Sequence, residues 1–180
     1  MVHVIEVRTA HTADLAPTTL EAARALLDDV FDGEMTDHDW EHALGGVHAL
    51  VWNGADLVGH ASVVQRRLLH AGRALRTGYV EGVGVRADRR RQGLGAAMMA
   101  ALERVVRGAY EIGALATAEE AHAFYAACGW TPWQGPSSAL TPTGIVRTQE
   151  EDGGIYVLPV TAPLDLTGDL ICDWRDGDLW

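Results

Sequence analysis

The stretch from Val83 to Arg107 constrains the fold most: an apolar strand runs through a basic, glycine-bearing turn straight into a strongly amphipathic segment. Leu94, Ala97, Met98, Ala101, Leu102 and Val105 recur at i, i+3, i+4, i+7, i+8 and i+11, while Glu103, Arg104 and Arg107 fall elsewhere. That spacing predicts a helix with one face on a core. The turn ahead of it, Arg86-Ala87-Asp88-Arg89-Arg90-Arg91-Gln92-Gly93-Leu94-Gly95, holds four of the fourteen basic residues within six positions. A helix N-terminus offers N–H groups that lack intrahelical partners and the positive end of the helix dipole. Glycines let backbone approach a ligand closely, and arginines add full charge. One reading is a pyrophosphate cradle; the other is a solvated turn that glycine merely permits. A dinucleotide-binding turn is excluded, because the G-x-G-x-x-G spacing is absent and the preceding strands read as an antiparallel meander.

The cradle sits in an acidic protein of 180 residues, in which 25 acids against 14 basic residues give a net charge of −11. That balance argues against nucleic acid or an anionic membrane as partner and favours a cationic one. A hydrophobic fraction of 48% with 22% charged residues is that of an ordinary globular domain, and one domain over 1–180 is expected. All fourteen basic residues are arginine, which excludes lysine Schiff-base chemistry. Cys128 and Cys172 are too few for a disulfide framework and show no metal-ligand spacing with the eight histidines. No metal and a reducing compartment are expected. The N-terminus meets charge too early for a signal peptide, and the uncharged stretch 121–146 is broken by prolines and glycines, so a cytoplasmic chain is expected.

Along the chain, Val2, Val4 and either Ile5 or Val7 suggest a first strand, and Thr18-Thr19-Leu20-Glu21 has capping-box spacing for a helix through Val30. Thr36-Asp37-His38-Asp39 heads a short helix ending at Gly45-Gly46. Residues 48–52 and 57–64 around Asn53-Gly54 read as a hairpin, and 75–85 as a long strand after a turn at 70–73. Residues 112–116 form a strand, Thr117-Ala118-Glu119-Glu120 caps a helix through Tyr125, and Gly129 stops it. A long Pro/Gly-rich excursion precedes a strand at 155–160, and the tail 164–180 reads as irregular, acidic and Trp-rich.

Several residues are candidates for chemistry. Glu81 is an acid inside an apolar strand, where burial is costly and raises a carboxyl pKa; it is either a base or an outward residue on the alternating face. Acids cluster in 28–41, from Asp28 to Glu41, and in 150–180, so that 15 of 25 acids occupy two short stretches. They are either solvated surface or a negative rim for a small polycation. Tyr125 reads as a core aromatic, as do Trp40, Trp133, Trp174 and Trp180. Cys128 reads as a buried small hydrophobe, and His38, His42, His48 and His60 are scattered, with no catalytic role assigned.

Arg90-Arg91-Gln92-Gly93-Leu94-Gly95 matches the R/Q-x-x-G-x-G/A acetyl-CoA signature of the GCN5-related N-acetyltransferases (GNAT), whose order of elements also matches. Asp39-Trp40-Glu41-His42, 78–83, Gly108-Ala109-Tyr110 and Cys172-Asp173-Trp174-Arg175, ending on Trp180, resemble the aminoglycoside 2′-N-acetyltransferases along essentially the whole chain. The resemblance implies an α/β fold with a mixed, mostly antiparallel sheet splayed between its central strands and helices on both faces. It implies direct acetyl transfer from acetyl-CoA to the 2′-amine of an aminoglycoside in a ternary complex, conferring resistance. The co-substrate is expected on Val83, Gly84, Val85, Arg90, Arg91, Gln92, Gly93, Leu94 and Gly95. Glu81 is expected to take a proton through water, the Val83 N–H to polarise the thioester carbonyl, and Tyr125 to return a proton to sulfur.

Substrate contacts are expected from Glu34, Asp39, Glu81, Gly82, Glu151, Asp178 and Trp180 with its terminal carboxylate, the tail 164–180 packing at that site, and a homodimer is implied. Glu34 and Glu151 stand where the family pattern has aspartates, and Ala116 where a relative has serine, which puts fine substrate preference in question. Alternatives are an acetyltransferase for a polyamine, a peptide N-terminus or a peptidoglycan amino sugar, or a non-catalytic CoA-binding module.

Overall fold

A computed structural model of the chain describes residues 5–180. They form two compact units, the first made of residues up to Val64 with Val80–Val105, the second of Gln65–Tyr79 with Val106–Trp180. In the first unit, β1 (Ile5–His11) pairs antiparallel with β2 (Val47–Asn53), and β2 with the first part of β3 (Asp56–His70). The expected first strand thus covers Ile5 and Val7, while Val2 and Val4 lie outside the described residues. The β2–β3 loop is Gly54-Ala55, with Gly54 at φ +64° and Asn53 already paired with Asp56, one residue on from the expected turn.

The helices of this unit differ in how they start. The capping box expected at Thr18 is not used: α1 (Pro17–Val30) opens on Pro17 with Ala16 as cap and no side-chain bond. Proline at the first helical position has its φ pre-set and no N–H to satisfy, so Thr18 and Thr19 fall inside the helix. In α2 (Asp37–His42), Thr36 and Asp39 form a reciprocal capping box, although the helix stops before Gly45-Gly46. The face of α1 buries Ala23, Leu26 and Leu27. It lies close on β4 (Arg73–Val85): a Cβ at Gly84 would sit 3.0 Å from Leu27 Cδ2 and 3.1 Å from Val30 Cγ1. The helix expected from the apolar spacing is α3 (Leu94–Ala109), and it buries Leu94, Met98, Met99, Leu102 and Val106.

In the second unit, the start of β4 runs parallel to β5 (Ile112–Ala116), Thr77–Tyr79 lying opposite residues 112–114, and β4 continues to Val85. Antiparallel to β5 lies β9 (Ile155–Pro159), which also pairs with β6 (Thr131–Pro132). The end of β3 carries β10 (Leu170–Cys172), which runs parallel to β7 (Ser137–Thr141); β7 forms a hairpin with β8 (Gly144–Arg147). The sheet is therefore mixed and mostly antiparallel. β6, β7, β8 and β10 lie where the sequence suggested loop and irregular tail. The short helix α4 (His122–Ala127) follows a 3-10 turn, Glu119–Ala121, headed by Ala118 without side-chain capping. Thr117 is not a cap.

The last residues of the chain are pinned from within this unit. Arg66, 4% exposed, donates from Nε to Asp173 Oδ1 at 2.7 Å and from Nη2 to the Leu179 carbonyl at 2.7 Å. Its guanidinium stacks 4.6 Å from the Tyr79 ring centroid. Of the tryptophans expected in the core, Trp133 and Trp180 are buried and Trp40 is half-buried, but Trp174 is 50% exposed. The adjacent Asp173 carboxylate is held by Arg66 and by the Arg67 N–H, which fixes residue 173 and leaves its neighbour facing outward.

Candidate active site

In the first unit, β4 leads through Arg86 into a 3-10 turn, Ala87–Arg89, and then into α3. Arg86 is committed: its N–H donates to the Val58 carbonyl at 2.9 Å, and its guanidinium holds Asp88 at 2.6 Å. Arg90 donates from Nε to the Val85 carbonyl at 3.2 Å. Arg91 adopts φ +59° and Gly93 φ +77°, so the chain reverses twice into the left-handed region immediately before the helix. Arg90, Arg91, Gln92 and Gly93 are exposed. A Cβ at Gly93 would meet no atom within 4 Å, which leaves open space above the helix N-terminus. An open, cationic helix N-terminus fits a pyrophosphate, so the residues present suit the acetyl-CoA expected there.

Just upstream, Glu81, Gly82 and Val83 are each half-buried. Gly82 has φ +57°, a conformation that a side chain would strain, within the continuous strand β4. The Glu81 carbonyl accepts from Ser62 Oγ at 3.4 Å and the Gly82 carbonyl from the His60 ring at 2.7 Å. Of the other expected substrate contacts in this unit, Glu34 is exposed in the loop before α2. The Asp39 carboxylate accepts from both the N–H and the hydroxyl of Thr36 through Oδ2, so one of its two oxygens is committed to the helix cap.

The second unit contains a cavity of about 550 Å³. Three of the expected substrate contacts, Glu151, Asp178 and Trp180, line it together, as does Ala116; Glu119, Glu150 and His122 join them. Glu150 belonged to the acidic cluster visible in the sequence, whereas Glu119 and His122 carried no such signal. Burial, reinforced by Asp178 and then Glu150, raises the Glu151 carboxyl above its ordinary range. Asp152 also lines the cavity but is tied to Arg147 and Ser137, and the Arg147 hydrogen bond brings it down to about 2. The Trp180 ring is placed by a relay: its indole N–H donates to Thr148 Oγ1 at 2.9 Å, and Thr148 donates to Ser137 Oγ at 2.9 Å.

Tyr125 on α4 is 6% exposed, with its ring edge-on to Phe124 at 4.9 Å. Burial, then Cys128, pushes its hydroxyl up to about 12, so it keeps its proton well above neutral pH. Among the described residues, no group of three or more His, Cys, Asp or Glu is arranged to hold a metal ion, and no helix is long and apolar enough to cross a membrane.

The histidines read as scattered are not all so. His48 and His60 lie on adjacent strands, both 0% exposed, with His48 Nδ1 2.9 Å from His60 Nε2. Their spacing of twelve residues across a hairpin was the available signal; nothing in either residue's immediate neighbours marks it. Burial lowers both imidazoles to about 4, His60 adding to the effect on His48. In the unfolded chain they protonate near 6.5, so the pair costs nothing above that pH. Below it the unfolded state binds protons that the fold excludes, and the loss is complete below about 4. We expect acid titration to remove on the order of 3 kcal/mol for the first ring protonated. Urea melts at pH 7 and pH 5 check this against a His48→Phe variant, whose dependence should be shallower.

The Acetyltransferase (GNAT) family profile matches residues 14–130. An aminoglycoside 2′-N-acetyltransferase from Mycolicibacterium fortuitum is 52% identical over 177 residues, covering 96% of this chain and 91% of that one. Among solved structures, a GNAT family acetyltransferase from Brucella melitensis in complex with acetyl-CoA superposes with TM-score 0.63 at 13% identity, over 93% of this chain and 95% of that one. ElaA from Escherichia coli superposes with TM-score 0.61 at 21% identity, over 87% of this chain and 99% of that one. With the family signature at the start of α3 and the mixed sheet that carries it, the chain belongs to the GNAT acetyltransferase family.

Proposed function

We propose that this chain acetylates the 2′-amine of aminoglycosides. The observation that carries the reading is the cavity of the second unit, where Glu119, Glu150, Glu151 and Asp178 gather beside the buried Trp180, in a chain half identical to an aminoglycoside 2′-N-acetyltransferase. Several carboxylates around one cavity suit a ligand bearing several ammonium groups, which charge-assisted hydrogen bonds hold and orient. Glu34, Asp39, Glu81 and Gly82 complete the proposed substrate set, residues 1–180 act as one catalytic domain, and the tail 164–180 packs at the substrate site.

Acetyl-CoA supplies the thioester acetyl group, transferred directly to the amine. The turn at 90–95, exposed over 90–93, binds its pyrophosphate through Arg90, Arg91 and the first N–H groups of α3, and the backbone of Val83 and Val85 lines up its pantetheine arm. Glu81 takes the proton of the substrate ammonium through water, the Val83 N–H donates to the acyl oxygen, and Tyr125, which burial keeps protonated, is the acid for the leaving sulfur. The same reading makes the enzyme a cytoplasmic homodimer that confers aminoglycoside resistance, the association being testable by sedimentation.

The decisive comparison is between aminoglycosides with a 2′-amine and counterparts with a 2′-hydroxyl, assayed by thiol release at low salt so that screening does not weaken the acidic rim. Binding should survive the swap and transfer should not. Equal turnover on both overturns the 2′ assignment; turnover on neither, with good turnover on spermidine or peptides, favours an acetyltransferase for another cation.

A further inference from the structure

The buried histidine pair is one part of a longer chain of hydrogen bonds. Thr12 Oγ1 lies 2.7 Å from His48 Nε2, His48 Nδ1 lies 2.9 Å from His60 Nε2, and His60 Nδ1 lies 2.7 Å from the Gly82 carbonyl oxygen. Thr12 Oγ1 itself accepts the Gly45 N–H at 2.9 Å. The direction of the chain follows from its last member. A carbonyl oxygen only accepts, so His60 carries its proton on Nδ1 and, being neutral, accepts at Nε2. His48 must then donate from Nδ1 and accept at Nε2, which requires the Thr12 hydroxyl to point at it. Its other acceptor, the Gly46 carbonyl, is more distant at 3.4 Å.

The peptide plane that carries the Gly82 carbonyl also carries the Val83 N–H. Every peptide bond among the described residues is trans, so the N–H points opposite to the carbonyl and away from His60. Fixing the carbonyl therefore fixes the direction of the N–H, and a carbonyl that accepts a strong hydrogen bond leaves its amide N–H a better donor. Gly82 needs such an anchor, since at φ +57° glycine gives the backbone the most freedom to rotate. Its missing side chain also makes room for the imidazole: a Cβ there would sit 3.3 Å from His60 Nδ1.

We propose that Thr12, His48 and His60 are positioning residues that aim and polarise the Val83 N–H through the Gly82 carbonyl. The inference rests on the acetyl-transfer reading, in which that N–H donates to the acyl oxygen. Removing an oxyanion donor outright costs about 10²–10³ in kcat; loosening its plane is expected to cost about tenfold.

Two measurements on the whole protein test it. Long-range ¹H–¹⁵N correlation at pH 7 should find both imidazoles neutral and protonated on Nδ1, although free histidine favours Nε2. Thr12→Val, nearly isosteric and at the remote end of the chain, should lower kcat several-fold with the KM for acetyl-CoA unchanged, and should shift the Val83 amide resonance. Thr12→Ser should restore both, and His60→Phe should lose about tenfold in kcat. An Nε2-protonated His60, or parental kcat in both Thr12→Val and His60→Phe, overturns the proposal. If the parent itself acetylates no amine, the functional reading falls and the catalytic role of the chain falls with it. Parental turnover with indifferent variants overturns the positioning role alone.

Discussion

Glu81→Gln is expected to lower kcat by on the order of 10²-fold at neutral pH, the usual range for loss of a general base. Glutamine keeps the size and much of the hydrogen bonding of the half-buried glutamate, so acetyl-CoA binding should be retained while proton removal from the ammonium is lost. The acidic limb of the pH–rate profile should move as well, because that limb reports ionisation of the base. An unchanged profile removes Glu81 from the mechanism and points to substrate amine that is already neutral when it binds.

Gly93→Val should act on the other half of the reaction. Gly93 sits at φ +77° with open space where a Cβ would go, so the substitution both strains the turn and fills the place where the pyrophosphate would lie against the first N–H groups of α3. Left-handed backbone costs a non-glycine residue roughly 1–2 kcal/mol, and a β-branched side chain suits it least. That strain lowers stability; the affinity loss comes from blocked contacts. A hydrogen bond to a charged group is worth about 1.5–3 kcal/mol and about 1.4 kcal/mol is tenfold in affinity, so the KM for acetyl-CoA should rise at least about tenfold. Calorimetry of acetyl-CoA alone provides the check, and parental affinity would place the cradle elsewhere.

How far these sites were legible in the sequence depended on the range of the interaction that fixes each residue. The Arg90–Gly95 turn and α3 were readable because dipole, glycine and helical period are all local. So was the Thr36 capping box, whose partners are three residues apart. Ser137–Thr141 and Leu170–Cys172 were not readable as strands, because each is short and its pairing comes from residues elsewhere in the chain. Of the acids, Glu151 and Asp178 were legible as part of a cluster, while Glu119 reaches the cavity only through folding. His48 and His60 escaped because a hydrogen bond between buried rings on neighbouring strands leaves no mark on either residue's immediate sequence.

The anchoring of Asp173 and Leu179 by Arg66 has a consequence for the order of events during synthesis. The partners are separated by 107 and 113 residues, and β10, which adds the 170–172 strand to β3, closes a loop of similar length. Such contacts come late, since the entropy of closing the loop precedes any gain from the contact. Until residues 170–180 have left the ribosome, Arg66 has a destination in the sheet but no counter-charge from Asp173, and burying it unpaired costs several kcal/mol. The second unit is thus expected to stay open at the β3 end until residues 170–180 have emerged, and then to close in one step. Arrested chains ending before residue 170 should be cleaved by protease around Arg66 and Arg67, whereas chains extended by a linker beyond residue 180 should be protected there.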